Sequence, residues 1–168
     1  HPALVSVARE PFDKVLKGKP HQRDRMRDDV NVSASDLLNF EIPNSTITES
    51  GMRLNINVGI QYIASWLSGQ GAAAIFNLME DVATAEISRS QIWQWLHRED
   101  ARLDDGRAID NELYTRLVDE EMNEIRSMVG ADRFERGKFK EARKVFDMVA
   151  QNKDFPEFLT LIAYEELT

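Results

Sequence analysis

The sequence predicts a mainly α-helical fold, an orthogonal bundle of about five main helices with shorter ones between them. Three observations point there. Apolar residues recur at i, i+3 and i+4 through several long segments. Several of those segments open on a Ser or Asp cap or close on glycine. No convincing two-residue alternation occurs, apart from a possible short strand near residues 29–32.

Taken in order, Leu4, Val5, Val7, Ala8, Phe12, Val15 and Leu16 are loosely helical in spacing, with Pro11 as an interruption. Residues 18–29 are charged and contain Pro20, which predicts an exposed connector. Its basic residues are interleaved with Asp24, Asp28 and Asp29, as in a solvated loop rather than a phosphate patch. Ser33-Ala34-Ser35-Asp36 has capping-box spacing and predicts a short helix into Leu37 and Leu38, and residues 40–50 read as a loop. Met52, Ile56, Ile60, Ile63 and Leu67 mark the strongest helix. A second stripe of Leu54, Val58, Tyr62 and Trp66 makes that helix apolar around much of its circumference, hence central, and Gly69 and Gly71 stop it. Ser88-Arg89-Ser90-Gln91 reads as another capping box, opening a helix with Ile92, Trp93, Trp95 and Leu96. Asp110 caps a helix bearing Leu113, Leu117, Met122, Ile125 and Met128, ended by Gly130. Phe139, Ala142, Phe146 and Val149 carry another, and Phe155 to Tyr164 form a last short apolar element. The domain expectation is one domain over 1–168, with 1–32 a linker or lead-in and 33–168 the helical core.

The net charge of −8 argues against nucleic acid and against an anionic membrane surface as partners. The absence of cysteine removes disulfides, thiolate metal sites and a Cys nucleophile together, and fits a reducing compartment. No apolar run approaches the ~20 residues of a membrane span, and no signal peptide opens the chain. The chain begins His1-Pro2 rather than with Met, as expected of a processed chain or part of a longer one.

The candidate chemistry centres on Glu80 and Asp81, adjacent acids directly after the apolar Leu78 and Met79. His1, His21 and His97 are scattered without metal-ligand spacing. Glu80, Asp81 and Glu86 could hold Mg²⁺, but adjacent acids more simply complement a helix terminus, so no metal site is expected in this chain. Residues 82–98 resemble a helix-turn-helix, which makes a helical interaction or DNA-binding module the alternative function. Against it, Arg89 and Arg98 are offset by Glu80, Asp81, Glu86 and Glu99. Trp93 and Trp95 read as core or interface anchors. No nucleophile elbow and no phosphate-binding glycine fingerprint occurs. Spacing alone leaves open which carboxylate works, and on what.

Asn77-Leu78-Met79-Glu80-Asp81-x-Ala83-Thr84-x-Glu86-Ile87-Ser88-Arg89, followed by Trp93-x-Trp95-Leu96, resembles the C-terminal domain of A-type malate synthase. The resemblance runs nearly end to end. It includes His1-Pro2-Ala3-Leu4, Asn55-x-x-Val58-Gly59-x-Gln61-Tyr62-Ile63-x-x-Trp66-Leu67, Leu103-Asp104-Asp105-Gly106 and Phe158-Leu159-Thr160-Leu161-x-Ala163-Tyr164. It implies the helical C-terminal domain of a TIM-barrel transferase of the glyoxylate cycle. That enzyme condenses acetyl-CoA with glyoxylate and water to give malate and CoA, beside the tricarboxylic acid cycle. The barrel, which this chain lacks, would hold Mg²⁺, glyoxylate and most of the CoA; residues 1–32 would lead in from it. By motif match Asp81 is the catalytic base that removes a methyl proton, with Met79 and Glu80 close to substrate. A charged Glu80 next door would strengthen that base. The chain alone is therefore expected to be inactive and to bind no metal.

Two departures from the family pattern stand out. Ala72-Ala73-Ala74 occupies the place of a Cys-Val-Pro-like stretch, which puts any Cys-dependent contact in doubt, and Ile162 replaces a usual Pro. The closing Glu166-Leu167-Thr168 is not a peroxisomal Ser-Lys-Leu signal, which favours a cytoplasmic, bacterial-type setting.

Overall fold

The computed structural model describes residues 2–167, and the chain falls into two units that divide between residues 45 and 46. His1 and Thr168 of the motifs above lie outside the described residues. The first unit holds α1 (Val5–Leu16) and α2 (Ala34–Leu37). Helix α1 runs straight through Pro11, which the sequence marks as an interruption. The capping box of α2 is present: Asp36 N–H donates to Ser33 Oγ at 3.2 Å and Ser33 N–H to Asp36 Oδ2 at 2.8 Å. The connector is solvated as predicted, with Arg27 paired to Asp29 and Lys19 to Asp24. The strand expected near 29–32 is absent; those residues form a turn and extended coil whose neighbours offer no ladder.

The second unit holds α3 (Glu49–Leu67), strands β1 (Ala73–Ile75) and β2 (Leu78–Glu80), α4 (Val82–Leu96), α5 (Asn111–Val129), α6 (Ala131–Arg136), α7 (Phe139–Gln151) and α8 (Leu159–Ala163). The mainly α fold class holds. Helix α3 is the central post, packed against β1, α4, α5 and α7. Met52, Ile56, Ile60 and Ile63 are fully buried; of the second stripe Val58 and Tyr62 are buried, Trp66 is half-buried and Leu54 stays exposed. Gly59 lets α3 and α7 approach closely: a Cβ there would lie 2.4 Å from the Phe146 ring. Polar ties join the same elements. Arg53 of α3 pairs with Glu49, Glu120 and the buried Glu121, which also accepts Asn57 Nδ2–H at 2.8 Å. Tyr114 of α5 donates to Asp147 of α7 at 2.7 Å. Asp110 caps α5 through Leu113 N–H, and Gly130, at φ 84°, ends it. Among the described residues no helix is long and apolar enough to cross a membrane.

Two expectations for the middle of the chain are corrected. Residues 73–80 form an antiparallel hairpin in the register Ala73↔Glu80, Ala74↔Met79 and Ile75↔Leu78. Its two-residue turn, Phe76-Asn77, has φ of 49° and 62°, the paired left-handed geometry whose twist suits a tight hairpin. The helix expected to open at Ser88 opens at Asp81 instead. Ser88 lies buried within α4, and Ser90 Oγ–H donates to the Glu86 carbonyl at 2.5 Å rather than capping an end. The Asp81 carboxylate is the better cap because it stands where the hairpin forces the chain out of helical geometry, at φ −123° and ψ −174°.

Candidate functional site

The hairpin and the first turn of α4 build the site. Asp81 follows β2 directly and is exposed. Its Oδ1 accepts Ala83 N–H at 2.9 Å and Thr84 N–H at 3.4 Å, which satisfies two of the unpaired donors at the helix start. Oδ2 accepts no hydrogen bond among the described residues. A carboxylate held by one oxygen keeps a fixed orientation while the other can take a proton.

Glu80 behaves differently. It is half-buried, and its Oε2 accepts Thr84 Oγ1–H at 2.5 Å, so Thr84 braces both acids at once. The expected complement to a helix terminus is thus supplied by Asp81 alone, while Glu80 bonds a side chain. Around Asp81 the surface is apolar: Phe76, Leu78, Met79 and Val82 are each 40–53% exposed. Four such side chains within seven residues make a patch that water covers at a cost, of the kind that marks an interaction surface. Phe76 at positive φ is strained for a bulky residue, and it stands on this same rim.

Behind the hairpin stands Tyr62 of α3, 1% exposed, whose hydroxyl donates to the Gly71 carbonyl at 2.9 Å. Burial raises the Tyr62 phenol above its ordinary value, and the Asp81 charge adds to the rise. Ser65 Oγ–H donates to the Gln70 carbonyl at 3.1 Å in the adjoining turn. The sequence shows Tyr62 only as one member of an apolar stripe. The hairpin had a readable signal in Asn77, a residue that accepts left-handed geometry, and in the β-branched Ile75 before it.

Helix α4 is then fastened along its length. Arg89 is 1% exposed and bonded to Glu86 at 2.6 Å, with its guanidinium 3.9 Å from the Phe155 ring centroid. Glu86 accepts Leu159 N–H at 2.8 Å, Trp93 Nε1–H donates to the Asn152 carbonyl at 2.7 Å, and Asn55 of α3 donates to Gln91 at 2.9 Å. These contacts remove the support for the DNA-binding alternative. Residues 82–96 are one uninterrupted helix with no turn inside it, and Arg89 is spent on the interior rather than offered to phosphate.

Met79, Glu80 and Asp81 are thus consecutive on the hairpin's last strand and the helix cap, with Met79 exposed. The donor set does not fit Mg²⁺. Among the described residues no group of three or more His, Asp or Glu side chains is placed to hold a metal ion, and one oxygen each of Glu80 and Asp81 is engaged by Thr84 and the helix amides.

The family model described as malate synthase, C-terminal, matches residues 46–167. The chain is 44% identical over 168 residues to a malate synthase of Streptomyces clavuligerus, covering 100% of this chain and 31% of that protein. It is 44% identical over 167 residues to a malate synthase of Myxococcus xanthus, covering 99% of the chain and 30% of the relative. It is 42% identical over 171 residues to a glyoxysomal malate synthase of Brassica napus, at 99% and 30%. The chain therefore spans about a third of the length of the curated relatives it matches.

Proposed function

This chain belongs to the malate synthase C-terminal family, and from that premise we propose that it supplies the catalytic base of a malate synthase whose other parts lie outside it. In this reading Asp81 takes a proton from the methyl group of acetyl-CoA. The resulting enolate carbon attacks the aldehyde carbon of glyoxylate, and water then cleaves the thioester to release malate and CoA. A thioester methyl is a weak acid, so the base must stand ready in the right orientation. The observation that carries the reading is the Asp81 carboxylate itself: Oδ1 tied to two backbone amides, Oδ2 open, on an apolar rim. Covering that rim with the rest of the enzyme would exclude water from the base, and a dry site strengthens each electrostatic contact made there.

Acetyl-CoA, glyoxylate and Mg²⁺ are then partners of the whole enzyme, held by residues beyond this chain, with Met79 and Glu80 close to the substrate. Residues 1–32 serve as its lead-in, and a cytoplasmic location goes with the proposal. The test is Asp81→Asn in a full-length enzyme carrying this domain. The amide keeps the shape and an oxygen for the cap but cannot accept the proton. Activity is expected to fall by about 10²–10⁴-fold with glyoxylate binding unchanged. Retention of more than about a tenth of the activity would remove Asp81 from the role.

A further inference from the structure

We propose that Tyr62 is a positioning residue for the base: its buried hydroxyl, by holding the Gly71 carbonyl, sets where the hairpin delivers Asp81. The inference rests on the catalytic reading of Asp81 given above.

The connection is short and runs through the backbone. A buried phenol needs a hydrogen-bond partner, and Tyr62 finds its partner in the segment that enters β1 rather than within its own helix. Two residues after Gly71, Ala73 pairs with Glu80, and the next residue is Asp81. The anchor is therefore at the open end of the hairpin, the end that carries the base, and not at the Phe76-Asn77 turn. Strands of three residues have little rigidity of their own, so their placement depends on what they are fastened to. Helix α3 fastens this segment at adjoining points: the Tyr62 hydroxyl on Gly71, and Ser65 through its hydroxyl and carbonyl on Gln70, at 3.1 Å and 3.0 Å. The influence of the Asp81 charge on the Tyr62 phenol agrees with the nearness this geometry requires. Tyr62 is too buried to touch substrate, so its effect passes through the hairpin.

Tyr62→Phe keeps the ring in the core and removes only the hydroxyl. In a full-length malate synthase carrying this domain, kcat is expected to fall about 10- to 100-fold, the scale that a misplaced catalytic group produces. KM for acetyl-CoA should stay within about two-fold, because the remaining binding contacts are untouched. The kinetic isotope effect with trideuteroacetyl-CoA should rise, since a misplaced base makes proton removal slower relative to the other steps. Ser65→Ala, which loosens the same segment from a half-buried position, should move kcat and the isotope effect in the same direction by less, and it serves if Tyr62→Phe fails to fold. A lower melting temperature with kcat and isotope effect unchanged would make the hydroxyl a packing bond only and overturn the inference. Asp81→Asn measured alongside separates the two ideas. Loss of activity there with Tyr62→Phe unaffected sinks only the positioning role, whereas an active Asp81→Asn enzyme sinks the reading of the base and this inference with it.

Discussion

Replacing Arg89 with Met should cost about 3.5–4 kcal/mol of stability, and the size follows mostly from what is left behind. The Arg89 guanidinium is 1% exposed and is bonded to Glu86 through Nε at 2.7 Å and Nη2 at 2.6 Å. Met fills much of the same volume, so little packing is lost. Breaking a buried pair by removing one partner costs ~3–5 kcal/mol, mostly from the charge that remains. Here that charge is Glu86, whose side chain keeps 21% of its surface in water and the Leu159 N–H as a donor, which places the loss at the low end. The Glu157 carbonyl, bonded at 3.2 Å, belongs to an exposed residue that water can reach, so it adds little. Contact with the half-exposed Phe155 ring adds about 0.5–1 kcal/mol. The reverse variant, Glu86→Gln, should cost more. It strands a cation that is almost wholly dry and already has one unpaired Nη1. Urea unfolding of both variants at neutral pH measures the two losses. A cost below about 1 kcal/mol for Arg89→Met, or a milder effect from Glu86→Gln, would refute this account of the pair.

Legibility in the sequence followed the range of the interactions involved. Helix α3 was readable because burial on nearly all sides leaves a dense apolar pattern, and α5 because Asp110 and Gly130 mark its ends by local chemistry. The start of α4 was misplaced because Asp81 and Ser88 are both competent caps. Only the hairpin before Asp81, a contact of strand with strand, decides between them. Three-residue strands are too short for alternation to register, so the hairpin itself left no periodic trace. At the site, the motif singled out Asp81, but the division of labour between the two acids depends on which atoms Thr84 engages, and spacing does not contain that. Arg89 was legible as a charge and illegible as a core residue: its partners Phe155 and Glu157 are more than sixty residues away.

Two further perturbations test how α3 is held. Gly59→Ala would push a methyl to within 2.4 Å of the Phe146 ring, so it should destabilise by about 1–3 kcal/mol through overpacking; a neutral effect in urea unfolding would mean that α7 can retreat without loss. The second perturbation is acid. Hydrogen bonds from Arg107 and then Arg53 hold the Glu49 carboxyl below its ordinary value, so the folded state binds the Glu49 proton more weakly than the unfolded chain does. The stability this confers is fully present above the unfolded value of 4.5 and is lost as the pH falls through the lower folded value. Other carboxylates titrate in the same window, which is why the comparison is with Glu49→Gln and not with wild type alone. The gap in melting temperature between the two proteins should be widest near pH 6 and should close as the pH falls toward about 3. Above pH 6 the gap should be level, because neither state of Glu49 changes its proton there. A gap that stays constant throughout the acid range would mean that the carboxylate is no better held in the folded state than in the unfolded chain.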